Sequence, residues 1–323
     1  MKSLIGACLL LVSASALADP VEITLTPVPL HKENPSITTA GKLTHLAGYQ
    51  LTAAPAAFGG WSGMQLAPDG QAFVAVSDGG AILKARIEET APGKITAITA
   101  AQMAPLRHSD GSPVKGKRTE DAEGLIDLSG GALTGPFLVS FERDDRILRY
   151  DEFGGPGVVV FRPPESVAIP DNDGMEAIVR LQSGLFLLLT EKAMDNDGHI
   201  HGFLWDGANP PRPISLKKNG RHWPTEAALL PNGDVVLLER DWNPIFGLSI
   251  SLRRIAAGTI HPGAVLDGEI LGTMHGNTFH MDNMEGLGVR RTADGRTLIY
   301  VLSDDNFNRK GQRTLLQIFT LKD

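Results

Sequence analysis

A five-residue stretch, Asp121-Ala122-Glu123-Gly124-Leu125, returns in altered form along the chain. It comes back as Gly174-Met175-Glu176-Ala177-Ile178, as Pro224-Thr225-Glu226-Ala227-Ala228 and as Asn283-Met284-Glu285-Gly286-Leu287, with Trp61-Ser62-Gly63-Met64 as an earlier relative. Each copy leads through a polar turn into an apolar run that ends in an acid: Asp78, Glu142, Glu191, Glu239 and Asp304 close these runs. The anchors Ser62, Glu123, Glu176, Glu226 and Glu285 stand 61, 53, 50 and 59 residues apart. That is the period of a propeller blade and is too long for helical or leucine-rich repeats.

Within each unit the apolar runs are short and bounded by turns such as Pro68-Asp69-Gly70 and Asp78-Gly79-Gly80, the pattern of a small four-stranded antiparallel sheet. The 36 glycines and 21 prolines agree with many turns, and long amphipathic helices are absent. The last unit runs from Met284 through Thr297 to Leu302 and Leu315 to Leu321, and lacks an outer strand. Val21 to Thr26 and Leu43 to Thr52 read as candidate strands with no hairpin partner nearby, and the second can supply it. With 38 residues after Glu285, the sequence predicts an all-β propeller of four-stranded antiparallel blades. Five blades are counted and six are the alternative, with the ring closed by N-terminal sequence pairing with the last blade.

Residues 1–18 have the form of a cleaved secretory leader: Lys2, an apolar run from Leu4 to Val12, and Ala16-Leu17-Ala18 before Asp19. Residues 19–41 then read as a lead-in and 42–323 as a single propeller domain. The one cysteine, Cys8, lies in the leader, so the exported chain has neither disulfides nor thiol chemistry. A periplasmic or secreted location follows. The formal charge of -7 becomes -8 once Lys2 is removed. That balance argues against nucleic acid or anionic membranes as partners and favours cations. No later segment is apolar enough to span a bilayer.

In a propeller blade the inner strand starts at one face of the channel and the second strand returns to it. Anchor acids and run-ending acids therefore meet at one mouth: Asp78, Glu123, Glu142, Glu176, Glu191, Glu226, Glu239, Glu285 and Asp304, interleaved with Arg118, Arg143, Lys192 and Arg240. Crowded carboxylates raise one another's pKa unless cations intervene. The oxygen-rich, cysteine-free set suits a hard cation such as calcium better than zinc. A residue repeated in four blades also fits a structural role, accepting backbone N–H bonds from a neighbouring blade. Asp171-Asn172-Asp173-Gly174 and Asp195-Asn196-Asp197-Gly198 resemble half a calcium loop without its later Glu, which is also the pattern of a plain turn. His199 and His201 alternate on one strand face, while His222 and His280 precede anchor motifs. Gly60-Trp61-Ser62-Gly63 is not a nucleophile elbow.

Phe58-Gly59-Gly60-Trp61-Ser62-Gly63-Met64, Asp121-Ala122-Glu123-Gly124-Leu125, Phe141-Glu142, Asn172-Asp173-Gly174-Met175-Glu176-Ala177 and Asn283-Met284-Glu285-Gly286-Leu287, in that order, resemble the "esterase-like activity of phytase" family of secreted bacterial proteins, over about Lys42 to Leu321. The resemblance implies a propeller, export, and hydrolysis of phosphate or carboxylic esters, with calcium at the channel mouth as in related propeller phytases. It also implies Asp121, Glu123, Glu176, Glu226 and Glu285 as metal ligands and Glu123, Glu142 and Glu176 as catalytic, water-activating groups. Arg118, Arg143, Lys192 and Arg240 would then hold a small anionic or ester substrate. Two functions follow as expectations: a metal-assisted ester hydrolase, and a non-catalytic propeller that docks a ligand or protein.

Overall fold

The computed structural model describes residues 18–321, so the leader expected over 1–18 falls outside the described residues except for Ala18. Five antiparallel sheets stand in a ring. From the inside outward, blade 1 is Trp61–Leu66, Ala72–Ser77, Ala81–Ala91 and Lys94–Pro105; blade 2 is Ala122–Asp127, Phe137–Phe141, Arg146–Tyr150 and Gly157–Phe161. Blade 3 is Met175–Arg180, Phe186–Met194, Ile200–Trp205 and Arg212–Leu216; blade 4 is Trp223–Leu229, Val235–Asn243, Gly247–Ile255 and Glu269–His275. Blade 5 is Asn283–Arg291, Thr297–Asp304 and Leu315–Leu321, and its fourth strand is Leu43–Thr52. That strand runs antiparallel to the chain's end, from Leu315 opposite Gln50 to Leu321 opposite Leu43. Ring closure by N-terminal sequence is therefore as expected, and the blade number is five.

The lead-in is drawn into the sheets as well. The expected strand from Val21 to Thr26 is two strands: Asp19–Val21 pairs with the outer edge of blade 1 and Thr24–Pro27 with that of blade 5. One protein edge thus covers another, leaving fewer open backbone groups. A single 3-10 turn at Ala257–Thr259 is the one helical element among the described residues, and none of their helices is long and apolar enough to cross a membrane.

Each blade is sandwiched between two others, which explains why the second-strand runs are apolar at every position. Along Ala72–Ser77, Phe73 and Ala75 pack toward blade 5 while Val74 and Val76 pack toward blade 2. Five apolar clusters result, one in each gap between blades. The inner strands lie so close that a small residue is required just after the anchor. A Cβ on Gly124 would sit 2.6 Å from the Glu176 carbonyl oxygen and 2.5 Å from Ile178 Cγ1.

Candidate functional site

The anchor residues owe their direction to an irregularity shared by all five inner strands. In blade 3, Met175 pairs with Thr190 and Ala177 with Leu189, so Glu176 is squeezed out of register as a bulge. Ser62 and Glu285 occupy the same place in blades 1 and 5, and Glu123 with Gly124 does so in blade 2. A bulge re-aims its side chain. Here it turns the anchors toward the upper mouth, where the second strands deliver Asp78, Glu142, Glu191 and Asp304.

Blade 4 is offset by one residue. Pro224 pairs with Glu239 and Glu226 with Leu238, so the bulge residue is Thr225 and the run-ending position at the mouth is Arg240. The sequence motif aligns Glu226 and Glu239 with the other acids; the pairing does not. Glu226, fully buried, hydrogen-bonds the backbone amides of Ala227 (2.9 Å), Ile178 and Met64, which belong to blades 4, 3 and 1. It takes the position that is Gly63, Gly124, Ala177 and Gly286 elsewhere, and it braces three inner strands rather than joining the metal-ligand set expected of it. Its other carboxylate oxygen is buried without a partner, and burial holds the group well above the usual carboxylate range. Glu239 pairs inside its blade with the buried Arg253 and with Asn219 Nδ2 at 2.8 Å.

The mouth therefore holds eight carboxylates, from Asp78, Asp121, Glu123, Glu142, Glu176, Glu191, Glu285 and Asp304, around one inner cation. Arg240 is one-fifth exposed and donates to Glu285 Oε1 at 2.8 Å, with Glu191 Oε1 at 3.7 Å. It also donates to Asn283, whose amide in turn reaches Glu285 Oε1 (2.8 Å) and Asp304 Oδ2 (3.0 Å). Asn283 was missed as a site residue; it stands two residues before the bulge, where blade 2 has Asp121, and that alignment is the signal for it. Arg143 closes the opposite side, with Nε 2.6 Å from Asp121 and Nη2 3.4 Å from Glu142. Lys192 bridges Glu191 and, at 2.5 Å, Asp173. Arg118 is exposed beside Asp144, outside this ring.

Compensation is uneven. Burial, followed by the charges of Glu285, Glu142, Asp121 and Asp78, holds Glu123 well above the usual carboxylate range, and no cation figures among these influences. Burial and contact with Asp121 push Glu142 up to about 8 despite Arg143. Burial together with Asp304 and Asp121 pushes Asp78 up to about 7, and its Oδ1 is buried without a partner. On the other side burial takes Glu285 to about 8 and Asp304 to about 6, with Arg240 opposing the rise in both. Glu176 is held well above the carboxylate range by burial, Glu191 and Glu123.

The side of the mouth left without enough positive charge can accept a metal ion. Asp121, Glu123 and Glu142 each offer an oxygen, all three within 4.8 Å of one another, and such donors suit a hard divalent cation. A second group, Asp195, Asp197 and His199, lies on a hairpin of blade 3. There Asp195 Oδ1 already accepts the Asp197 and His199 amides (2.9 and 2.8 Å) and Oδ2 the Ser215 hydroxyl (2.7 Å), which is how an Asp organises a turn. His222 is bonded to Ser249 Oγ at 3.0 Å and His280 lies 3.3 Å from Arg313. His201 is half-buried on the third strand of the same blade.

Several solved structures cover most of the chain. A gluconolactonase from Xanthomonas campestris is 12% identical over 96% of this chain and 99% of its own, with a TM-score of 0.46. A glucose dehydrogenase is 12% identical over 85% and 98%, also at 0.46, and a protein of unknown function from Dyadobacter fermentans is 12% identical over 94% and 99%, at 0.43. At such values the likeness bears on nothing at the site. No curated protein matches the chain. The sequence profile of the phytase-like family, described as esterase-like activity of phytase, matches residues 56–307 with the repeated motifs and the whole acidic mouth inside the match, and the protein belongs to that family.

Proposed function

We propose that the chain is exported and hydrolyses phosphate or carboxylic esters at the upper mouth of its channel with the help of a divalent cation, calcium in the first place. The observation that carries this reading is the uncompensated side of the mouth, where buried Glu123 faces Asp78, Asp121, Glu142 and Glu285. Asp121 and Glu123 would hold the ion beside Glu142, with Glu176 and Glu285 completing the negative field. Bound there, it would polarise an ester or phosphoester oxygen and lower the pKa of a bound water.

The chain's own residues supply the rest. Glu142, 5% exposed, takes the proton of the incoming water at its carboxylate. Arg143 and Lys192, 22% and 35% exposed, orient the anionic part of the substrate from the rim. Arg240 works indirectly, keeping Glu285 and Glu191 charged and in place. The test is metal analysis of the purified protein together with turnover of activated phosphate and acyl esters, with and without calcium. Calcium-dependent turnover that is lost in Glu123→Gln supports the reading, and turnover undiminished in Glu123→Gln refutes it.

A second reading, a non-catalytic periplasmic propeller that docks a ligand or a protein partner, draws support from Glu226 and Glu239, repeated acids that serve the fold alone. Metal-dependent turnover in the same screen would contradict it.

A further inference from the structure

Beside the acidic mouth, on the blade 1 and blade 2 side, lies an apolar groove of about 590 Å³. Val21, Ala57, Met103, Pro105, Pro113 and Val114 form its walls. Two of its lining segments lead along the chain into residues of the mouth. Gly79 and Gly80 in its floor directly follow Asp78, and Glu120 at its edge directly precedes Asp121.

Against Gly79, one of the residues lining the groove, lies an aromatic ring held where the backbone resists it. Phe307 is 41% exposed and has φ +51°, after Asn306 at +47°. Asparagine tolerates the left-handed region but phenylalanine does not, and a bulky residue keeps such a conformation only where its surroundings impose it. They do so here. Asp305 Oδ1 accepts the amides of Gly60 and Phe307, both at 3.1 Å, and Arg309 donates to the Pro55 and Phe58 carbonyls at 2.6 and 3.0 Å. The ring rests on glycines that leave room for it. A Cβ on Gly79 would lie 2.8 Å from Phe307 Cζ, and one on Gly60 would lie 2.7 Å from Phe307 Cε2 and 1.9 Å from Asp78 Oδ1. The fold thus fixes an exposed aromatic beside a carboxylate whose buried oxygen has no partner. Nothing in the apolar cores calls for that arrangement.

We infer that the substrate is amphiphilic: its ester group sits at the acidic mouth and a hydrophobic acyl or alkyl group lies in this groove, flanked by Phe307. The inference rests on the proposed hydrolase reading and narrows it. A polyol carrying phosphate on every carbon has no apolar part to place there, and Lys115 is the one basic residue among those lining the groove. Each methylene moved from water into such a groove is worth about 0.8 kcal/mol, or roughly fourfold in affinity or kcat/KM.

The experiment has two readouts on the purified protein. One is kcat/KM for a series of 4-nitrophenyl esters from acetate to octanoate, with inositol hexakisphosphate alongside. The other is calorimetric binding of octanoate against acetate, which needs no turnover. Both are repeated in Val114→Asp and in Phe307→Ala; the latter is at the surface and keeps the test open if the former does not fold. The expected result is a preference for the longer chain of at least tenfold in kcat/KM and in binding, with the long-to-short ratio falling toward one in the variants. Octanoate binding that is lost in a variant, without turnover of any ester, keeps the groove assignment and removes the hydrolase reading. Turnover with a flat chain-length profile removes the groove assignment and leaves the hydrolase. Inositol hexakisphosphate outpacing every acyl ester, or neither turnover nor octanoate binding, overturns the inference.

Discussion

Replacing Arg240 by Gln removes the one inner cation of the mouth while keeping much of its volume. Its guanidinium lies 2.8 Å from Glu285 and 3.7 Å from Glu191, and those two carboxylates are 12% and 5% exposed. Deleting one partner of a buried pair leaves the other charge unpaired, at a cost of about 3–5 kcal/mol. The carboxylates can escape part of this by taking up protons, so the loss depends on pH. Burial already holds the folded pKa of both groups above the unfolded value, and Arg240 opposes that rise. Without it their folded pKa rises further, and a group with a raised folded pKa gives stability that is present below its unfolded pKa and lost as pH rises through the folded one. The variant should therefore lose ground against the parent by roughly 1.4 kcal/mol per pH unit for each extra proton it holds. Urea unfolding in the presence of a chelator measures this: about 3–5 kcal/mol at about pH 8.5, shrinking below about 2 at about pH 5.5. A deficit that is the same at both pH values, or under about 1 kcal/mol at the higher one, would refute the argument that Arg240 holds the ring together by charge.

The parent protein should behave in the same direction. With Glu142 and Glu285 at about 8, Asp78 at about 7 and Asp304 at about 6, its cation-free stability should fall as pH rises from 6 to 8, and saturating calcium should flatten that fall in the urea midpoint. Glu226→Ala should lose about 3–5 kcal/mol by orphaning amides in three blades, without changing calcium affinity in a calorimetric titration; an affinity loss as large as that of Glu123→Gln would place Glu226 back among the ligands. Gly124→Ala should cost about 1–3 kcal/mol in the same unfolding assay, because its Cβ meets backbone and Ile178 rather than the end of a flexible chain.

Most of the fold was legible because a blade cannot hide its period. Apolar runs such as Leu187-Leu188-Leu189 face two neighbours at once, so they stay apolar at every position, and the turns between them carry their own Gly, Asp and Pro. The closing strand was legible for a related reason: Leu43 to Thr52 had no local partner and the last unit lacked one. The site was legible only down to single-residue register. Thr225-Glu226 looks like Met175-Glu176 in the sequence, yet the pairing of Pro224 with Glu239 moves every later side chain of blade 4 one place along. Nothing local announces this, because the offset is set by which residues pair across the sheet. Asn283 and Phe307 escaped for another reason: their importance lies in what they touch on distant segments.

The contrast between repetition and exception also says where function resides. Five bulges aimed at one mouth follow from the ring and would place five equivalent side chains there whatever the protein did. Three departures do not follow from it: Ser62 and Thr225 where the other blades have Glu, Arg240 where the others have an acid, and the left-handed Asn306-Phe307 pair found in blade 5 alone. Ser62 and Thr225 remove negative charge from the blade 1 and blade 4 positions, and Arg240 adds positive charge on one side. Arg240 acts on Glu176, Glu191, Glu285 and Asp304, so Asp78, Glu123 and Glu142 are left without its charge. The third places an aromatic next to that same side. Independent exceptions in three blades converge on one arc of the rim. A ring built for stability alone would have no reason to concentrate its uncompensated carboxylates there.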